Sequence, residues 1–332
     1  IMSNLLDKAS IILTPTAYNN GEALCVKPSD GSGDFDFSRN SAATRVNAQG
    51  LVENVQILSS NLVQNGDFSE EGVQEVSNGS FSQEGVEEIT NGSFDTDSNW
   101  TLGTGWSIGE DKANCDGTQT SNSDIAQGLT TQSGKSYKIT YTISEYTSGS
   151  IFVRLNSGNT TTSQSSVGTF TEYLSGENGT QISLRANANF IGSIDNVSVR
   201  EVGQDWLFAG GSEITEQGAR INNTITGVNA YIRQSNSNFT IGKSFVLEYD
   251  VVATNGTTLA IEQTSSIALN TSTVGSNRKI YFQWDIASTG LVIKRLTAGT
   301  DVTITNISVK EVGQNWDLGS FTSIGNNVAN IV

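Results

Sequence analysis

The chain has 332 residues, 36% of them hydrophobic, with 34 glycines and two prolines, which is enough apolar material for two or three cores divided by many turns and favours an all-β protein. Thirty-four acidic against 18 basic side chains leave a net charge of −16, opposing attraction to nucleic acid or to an anionic membrane surface. Histidine is absent, which removes Ser-His-Asp and Cys-His catalysis and the commonest zinc ligand from these residues, and no apolar run approaches the roughly 20 residues of a bilayer span.

Residues 1–60 hold both prolines, Pro15 and Pro28, and apolar runs at Ile11–Leu13 and Leu51–Val55 around a stretch rich in Gly and Asp. The opening run LLDKASIIL is too short, and too interrupted by charge, for the apolar part of a signal peptide. Phe35 and Phe37 share one side of an extended chain while Asp34 and Asp36 share the other. So short a segment makes a poor core by itself, so this arm is expected to pack on a partner chain or on the rest of the protein; a flexible leader is the alternative. Arg39 and Arg45, basic positions in an acidic protein, can pair with Asp34 or Asp36 of a neighbouring copy and set the register between subunits. Phe35, Phe37, Arg39 and Arg45 are therefore the expected anchoring and oligomerisation residues. Cys25 and Cys115 lie in different regions and are too few for a disulfide framework, so both are expected to be free thiols.

The segment ASIILTPTAYNNGEALCVKPSDGSGDFDFSRNSAATRVNAQGLVE resembles the N-terminal region of bacteriophage tail-fibre and related virion appendage proteins, where a DFxFSRxSxATRVNxxGLIE-like run precedes modular β-domains. The likeness covers about 45 residues and is most specific from Ser38 to Asn47. It implies a structural subunit at the surface of a virion, usually a homotrimer. The implied partners are further copies of itself, other virion proteins reached through residues 1–60, and host surface polysaccharide, with no nucleic acid and no membrane insertion. A secreted bacterial adhesin or glycan-binding protein, or the non-catalytic N-terminal part of a depolymerase, is the alternative reading.

Residues 61–98 carry a shorter repeat, in which Phe68, Phe81 and Phe94 recur every 13 residues, each after an Asn-Gly turn signal. These Asn-Gly-x-Phe units resemble the opening strand of carbohydrate-binding-module-like jelly rolls, and the IDNVSV strand described next resembles their closing one. Two of the three openings are expected to be spare, forming extra hairpins or a spacer. The same resemblance implies a structural calcium ion, with Asp195 and either Asp67 or Asp95 as ligands; Thr305 stands in the place of Asp195 in the second module, so the site would not repeat.

IDNVSVREVGQDW at 194–206 returns as ITNISVKEVGQNW at 304–316, 110 residues later, and its alternation of Val and Ile with polar residues predicts a half-buried strand, a Gly turn and a tryptophan. The sequence at 99–114 matches 315–330, and the middle copy at 205–220 keeps Trp206, Ile214 and Ala219 in step. Residues 99–202 and 203–312 thus read as tandem antiparallel β-sandwich modules, jelly-roll-like, and 313–332 as the start of a third, from which the polypeptide is expected to continue. The predicted strands of module one are Lys135–Glu145, Ser150–Leu155, Gly168–Leu174, Gln181–Arg185 and Phe190–Val202. Those of module two begin at Lys243, near Leu259, at Lys279, at Leu291 and at Val302.

Candidate chemistry is sparse. Gly134-Lys135-Ser136 and Gly242-Lys243-Ser244 end like a phosphate-binding loop, but Leu129 and Ser237 occupy the place of its first glycine and strands follow, so both read as turns. Gly103, Gly105 and Gly109 miss dinucleotide-loop spacing. Adjacent carboxylates at Glu70-Glu71 and Glu87-Glu88 point to opposite faces of a strand and cannot flank a glycosidic bond as pairs. Trp106 and Trp284 fall outside the module-opening series Trp100, Trp206 and Trp316, which is expected to be core, and are the candidate sugar-stacking platforms. No catalytic residue and no cofactor is expected, and the chain is read as a non-enzyme.

Overall fold

The computed structural model describes residues 63–155, 158–176, 178–223, 229–236, 238–288 and 290–316, together with 18–19, 22–23, 35–36, 43–46, 49–50, 52–55, 322–325 and 328–331. The chain forms two compact units, Ile1–Gln64 and Asn65–Val332. In the first, β1 (Tyr18–Asn19), β2 (Glu22–Ala23) and β3 (Phe35–Asp36) pair as an antiparallel sheet, and β4 (Ala43–Val46) forms a hairpin with β5 (Val52–Val55) that sets Arg45 opposite Glu53.

Two short strands, β6 (Glu71–Gln74) and β7 (Glu84–Glu87), open the second unit. A first sandwich follows, made of β8 (Thr101–Leu102), β9 (Trp106–Gly109), β10 (Lys112–Cys115), β11 (Ser123–Gly128), β12 (Ser136–Ser148), β13 (Ile151–Leu155), β14 (Asn159–Thr160), β15 (Gly168–Ser175), β16 (Gln181–Ala186) and β17 (Ile191–Val202). A second comprises β18 (Trp206–Ala209), β19 (Glu213–Thr215), β20 (Gly218–Asn223), β21 (Tyr231–Ser235), β22 (Ser244–Thr254), β23 (Leu259–Ile261), β24 (Ile267–Ala268), β25 (Gly275–Gln283), β26 (Gly290–Arg295) and β27 (Thr300–Val312). The hairpin of β28 (Thr322–Gly325) and β29 (Val328–Ile331) comes last. Among the described residues there is no helix.

The two sandwiches have one topology. The sheets of the first run β15-β12-β17-β10-β9 and β14-β13-β16-β11-β8, those of the second β25-β22-β27-β20-β19 and β24-β23-β26-β21-β18. Each strand of the first therefore has its counterpart ten strands later. The five strands per module that alternation predicts are present; the shorter ones, such as β8–β11 and β18–β21, carry too few alternating residues to register in the sequence.

Alternation explains what lies inside. Tyr137, Ile139, Tyr141 and Ile143 of β12 are buried, as are their counterparts Phe245, Leu247, Tyr249 and Val251 of β22, while the residues between them stay partly wet, apart from the buried Val246. Two apolar cores result, one per sandwich, and at roughly 1.5–3 kcal/mol for each fully buried large side chain they dominate the stability. Cys115 is buried and free, its thiol donating to the Phe190 carbonyl at 3.5 Å, and burial pushes its pKa up; Cys25 lies outside the described residues.

Each sandwich also contains a two-pronged ion pair. In the first, Arg185 donates twice to Asp124 at 2.7 Å, with Arg154 adding a bond at 2.9 Å; in the second, Arg220 donates twice to Asp301 at 2.7 Å. The Arg220 hydrogen bonds hold the Asp301 carboxyl below its usual range. For Asp124 burial acts in the opposite sense, and the two arginines outweigh it. A carboxylate depressed in the folded state stabilises above its unfolded pKa and loses that contribution as pH falls through the folded value. Stability should therefore fall in acid, from about pH 4 downward. D124N and D301N should each flatten that acid limb, as read from thermal midpoints between neutral pH and pH 2.

Candidate functional site

The segments that join the sandwiches are built from the 13-residue repeat. In each, asparagine takes a left-handed backbone, with φ of 48° at Asn65, 46° at Asn78 and 56° at Asn91. Phe68, Phe81 and Phe94 do the same at 55°, 59° and 56°, a conformation that costs a bulky side chain about 1–2 kcal/mol. The phenylalanine N–H closes the turn on the asparagine carbonyl at 3.1, 3.1 and 3.3 Å. The asparagine Oδ1 accepts the N–H five residues on, from Glu70, Gln83 and Thr96, at 3.1, 3.2 and 3.3 Å.

A tryptophan closes over every turn. Ring centroids lie 5.2 Å apart for Phe94–Trp100, 5.2 Å for Phe81–Trp206 and 5.1 Å for Phe68–Trp316. The indole N–H donates to the asparagine carbonyl at 2.9 Å from Trp100 and from Trp316; that of Trp206 divides between Asn78 O at 3.2 Å and Ser77 O at 3.0 Å. Such an aromatic pair adds about 0.5–1.5 kcal/mol beyond its buried area, which offsets the backbone strain.

The expectation that two openings are spare is overturned. The third unit, at Phe94, serves the first sandwich; the second, at Phe81, passes it over and opens the second sandwich; the first, at Phe68, reaches Trp316. The openings are nested in reverse order. Strand β7 lies on Arg200–Val202 of β17, beyond the stretch where β10 pairs with Gly192–Ile194, so β10 and β7 occupy successive halves of one edge. Strands β20 and β6 do the same along β27. Between the halves Asn196 and Asn306 bulge at φ 54° and 53°, and the N–H groups of Val197 and Ile307 donate to Gly92 O at 2.8 Å and Gly79 O at 2.9 Å. A Cβ on Gly79 or Gly92 would stand 1.9 Å from the carbonyl oxygen of Ile307 or Val197, so nothing larger than glycine fits there.

Side chains lock the same register. Gln74 and Glu87 accept the N–H groups of Val309 and Val199 at 2.7 and 2.8 Å. Gln234 exchanges two hydrogen bonds with Ser77, at 2.6 and 2.8 Å, and Gln127 two with Thr90, at 2.9 and 2.8 Å. The acidic residues are partners in this joint: Glu71 pairs with Lys310 at 2.8 Å, which holds its carboxyl below the usual range, and Glu84 pairs with Lys138 at 2.6 Å. The Gly-Lys-Ser turns lie beside it, with Lys135 on Glu201 and Lys243 on Glu311, both at 2.8 Å.

The two candidate sugar platforms are core residues. Trp106 is 7% exposed and donates to Ser123 O at 3.4 Å; Trp284 is fully buried and stacks on Phe239 at 4.5 Å. Neither face can meet a sugar from solvent, because each lies on the inner side of its sheet or loop. Of the opening series, Trp100 and Trp206 are buried as expected, but Trp316 is 39% exposed. The candidate calcium ligands are divided: Asp67 belongs to the first repeat, where its Oδ1 accepts Ser69 N–H at 3.3 Å, whereas Asp95 accepts from Ser93 at 2.9 Å and Asp195 accepts from its neighbour Asn196 at 2.6 and 2.9 Å. Among the described residues no three or more Cys, Asp or Glu side chains gather into a cation site. Phe37 and Arg39 lie outside the described residues, as do the side chains of Phe35 and Arg45.

No known protein family matches the sequence, and no curated protein does. Among solved structures the chain is similar to a Paenibacillus xanthan lyase, at 14% identity and a TM-score of 0.25 over 60% of this chain and 23% of that one. It is also similar to the triple jelly roll turret protein of an archaeal virus, at 15% identity and a TM-score of 0.21 over 65% and 60%. The chain spans less than two thirds of either neighbour, and both scores are too low to carry a functional argument.

Nesting makes an unusual demand on mutants. Phe81 precedes the first sandwich in sequence but sits in the core of the second, so F81A should destabilise the second by about 3–5 kcal/mol and leave the first unchanged. F94A should do the reverse. Hydrogen exchange of the β12 and β22 amides separates the two outcomes, and equal loss in both strands would contradict this assignment of the units to the sandwiches.

Proposed function

We propose that this chain is a structural subunit of a bacteriophage fibre or related virion appendage, in which residues 1–60 anchor on the particle and assemble as a homotrimer while the sandwiches project outward. The observation that carries this reading is the recurrent joint. The aromatic closure recurs three times, and at the two complete sandwiches paired strands and ion pairs tie the repeat to the closing strand, which braces the modules where flexible linkers would leave them independent. That suits a part that must transmit position over a distance. The resemblance of Ser38–Asn47 to virion appendage proteins supports the same reading, and Ala43–Val46 of that motif form β4 of the first unit.

Host surface polysaccharide is the partner in this reading, met by a surface other than Trp106 and Trp284. The chain itself does not cleave it. The adhesin alternative shares the sandwiches but assigns residues 1–60 no virion contact. Two measurements test the proposal. Mass in solution should be that of a trimer for the intact chain and of a monomer once residues 1–60 are deleted; an intact monomer whose arm binds no virion protein would refute the anchor. Incubation with capsular polysaccharides should release no reducing ends, and sustained release would reveal an active site.

A further inference from the structure

The Phe68 joint differs from the other two in one respect. Phe94 and Phe81 are 1% and 4% exposed, and Trp100 and Trp206 are 8% and 2%, but Phe68 is only partly buried and Trp316 keeps 39% of its surface in solvent. Gly66 is exposed, where its counterparts Gly79 and Gly92 are covered by the closing strands β27 and β17. The turn hydrogen bonds, the Phe–Trp contact and the indole bond are nevertheless all made.

A second edge points the same way. In β28–β29, Ile324 stands opposite Ala329, as Ile214 does opposite Ala219 and Ile108 opposite Ala113. Ile324 also closes on Gly313 as Ile214 closes on Gly203, at 2.0 and 2.2 Å from where a Cβ would stand. In both complete sandwiches the alanine strand of this hairpin carries the first half of the closing strand, through Ala113–Ile194 and Ala219–Ile304, and the Asn-Gly turn receives the bulge that follows it.

We propose that Asn65–Phe68 is the opening turn of a third sandwich of the same topology, and that this turn and β29 together receive one occupant: a closing strand of the Ile-x-Asn-Val/Ile-Ser-Val type, supplied by the module that Trp316 opens. The geometry selects this strand chemistry on two counts. A β-branched residue must cover the turn as Val197 and Ile307 do. A bulging asparagine must precede it. The bulge brings the N–H of that β-branched residue onto the glycine carbonyl of the turn, as at Val197 and Ile307. A foreign edge strand lacking the bulge would not meet both β29 and the turn in register.

The test appends a second copy of residues 223–313 after Val332, which supplies every strand from the equivalent of β21 to that of β27. In the 332-residue chain acrylamide quenching of tryptophan fluorescence reports chiefly on Trp316, because the other four tryptophans are under one-tenth exposed. In the extended chain this quenching should fall about threefold, as exposure drops from 39% toward the 2–8% of its counterparts. G66V in the extended chain should restore quenching, because a side chain there meets the incoming carbonyl, while the same substitution in the 332-residue chain should leave the thermal midpoint unchanged. Equal quenching of Trp316 in both chains, whether or not the added residues order, would overturn the proposal. Shielding that persists with valine at position 66 would overturn it too.

Discussion

The second unit depends on a short turn whose strain and reward fall on the same residue. Phenylalanine in a left-handed backbone is unfavourable, yet that conformation is what turns its ring out of the strand direction and under a tryptophan 5.1–5.2 Å away. Remove the tryptophan and the turn has no reason to persist; remove the turn and the indole N–H loses its acceptor. The neighbouring glycine then lets the closing strand approach to within a hydrogen bond. Everything that fixes one sandwich to the next follows from that approach.

Nesting changes the cost of closing long loops. The joint at Trp206 brings together residues 128 apart in sequence, and that at Trp316 residues 251 apart. In an unfolded chain each doubling of the loop adds about 0.6 kcal/mol of closure entropy. Once the first sandwich has formed, β7 is held along the end of β17, so the second repeat and Trp206 are already neighbours and the remaining loop is short. The second sandwich in turn prepares the third joint. Assembly from the inside outward is thus the order in which each step closes least chain.

The sandwiches share a topology but have their own electrostatic arrangements. Asp124 pairs with arginines on the β11-β13-β16 side of the first, whereas Asp301 of the second pairs with Arg220 on the opposite sheet, across β20 and β27. These partly exposed pairs refine stability and leave the fold to apolar alternation. That division explains how two modules of diverged sequence keep one strand order.

By itself the sequence determined the all-β class, the long strands and the tandem repeat, because period-two alternation and a returning IDNVSV-type strand are local properties that survive without any knowledge of partners. Three Asn-Gly-x-Phe units and three tryptophans were legible too, but two of the units read as spare, because nothing local shows that each closes on a tryptophan of its own. Only the tertiary structure decided which unit belongs to which sandwich, since near-identical units 13 residues apart carry no label for a partner more than a hundred residues away. The placement of Trp106 and Trp284 was likewise decided in three dimensions. Both stand outside the recurring tryptophan series, but whether an indole faces sugar or core depends on what distant connections bring against it, here Phe190 between β16 and β17 and Phe239 between β21 and β22, and no local pattern encodes that contact.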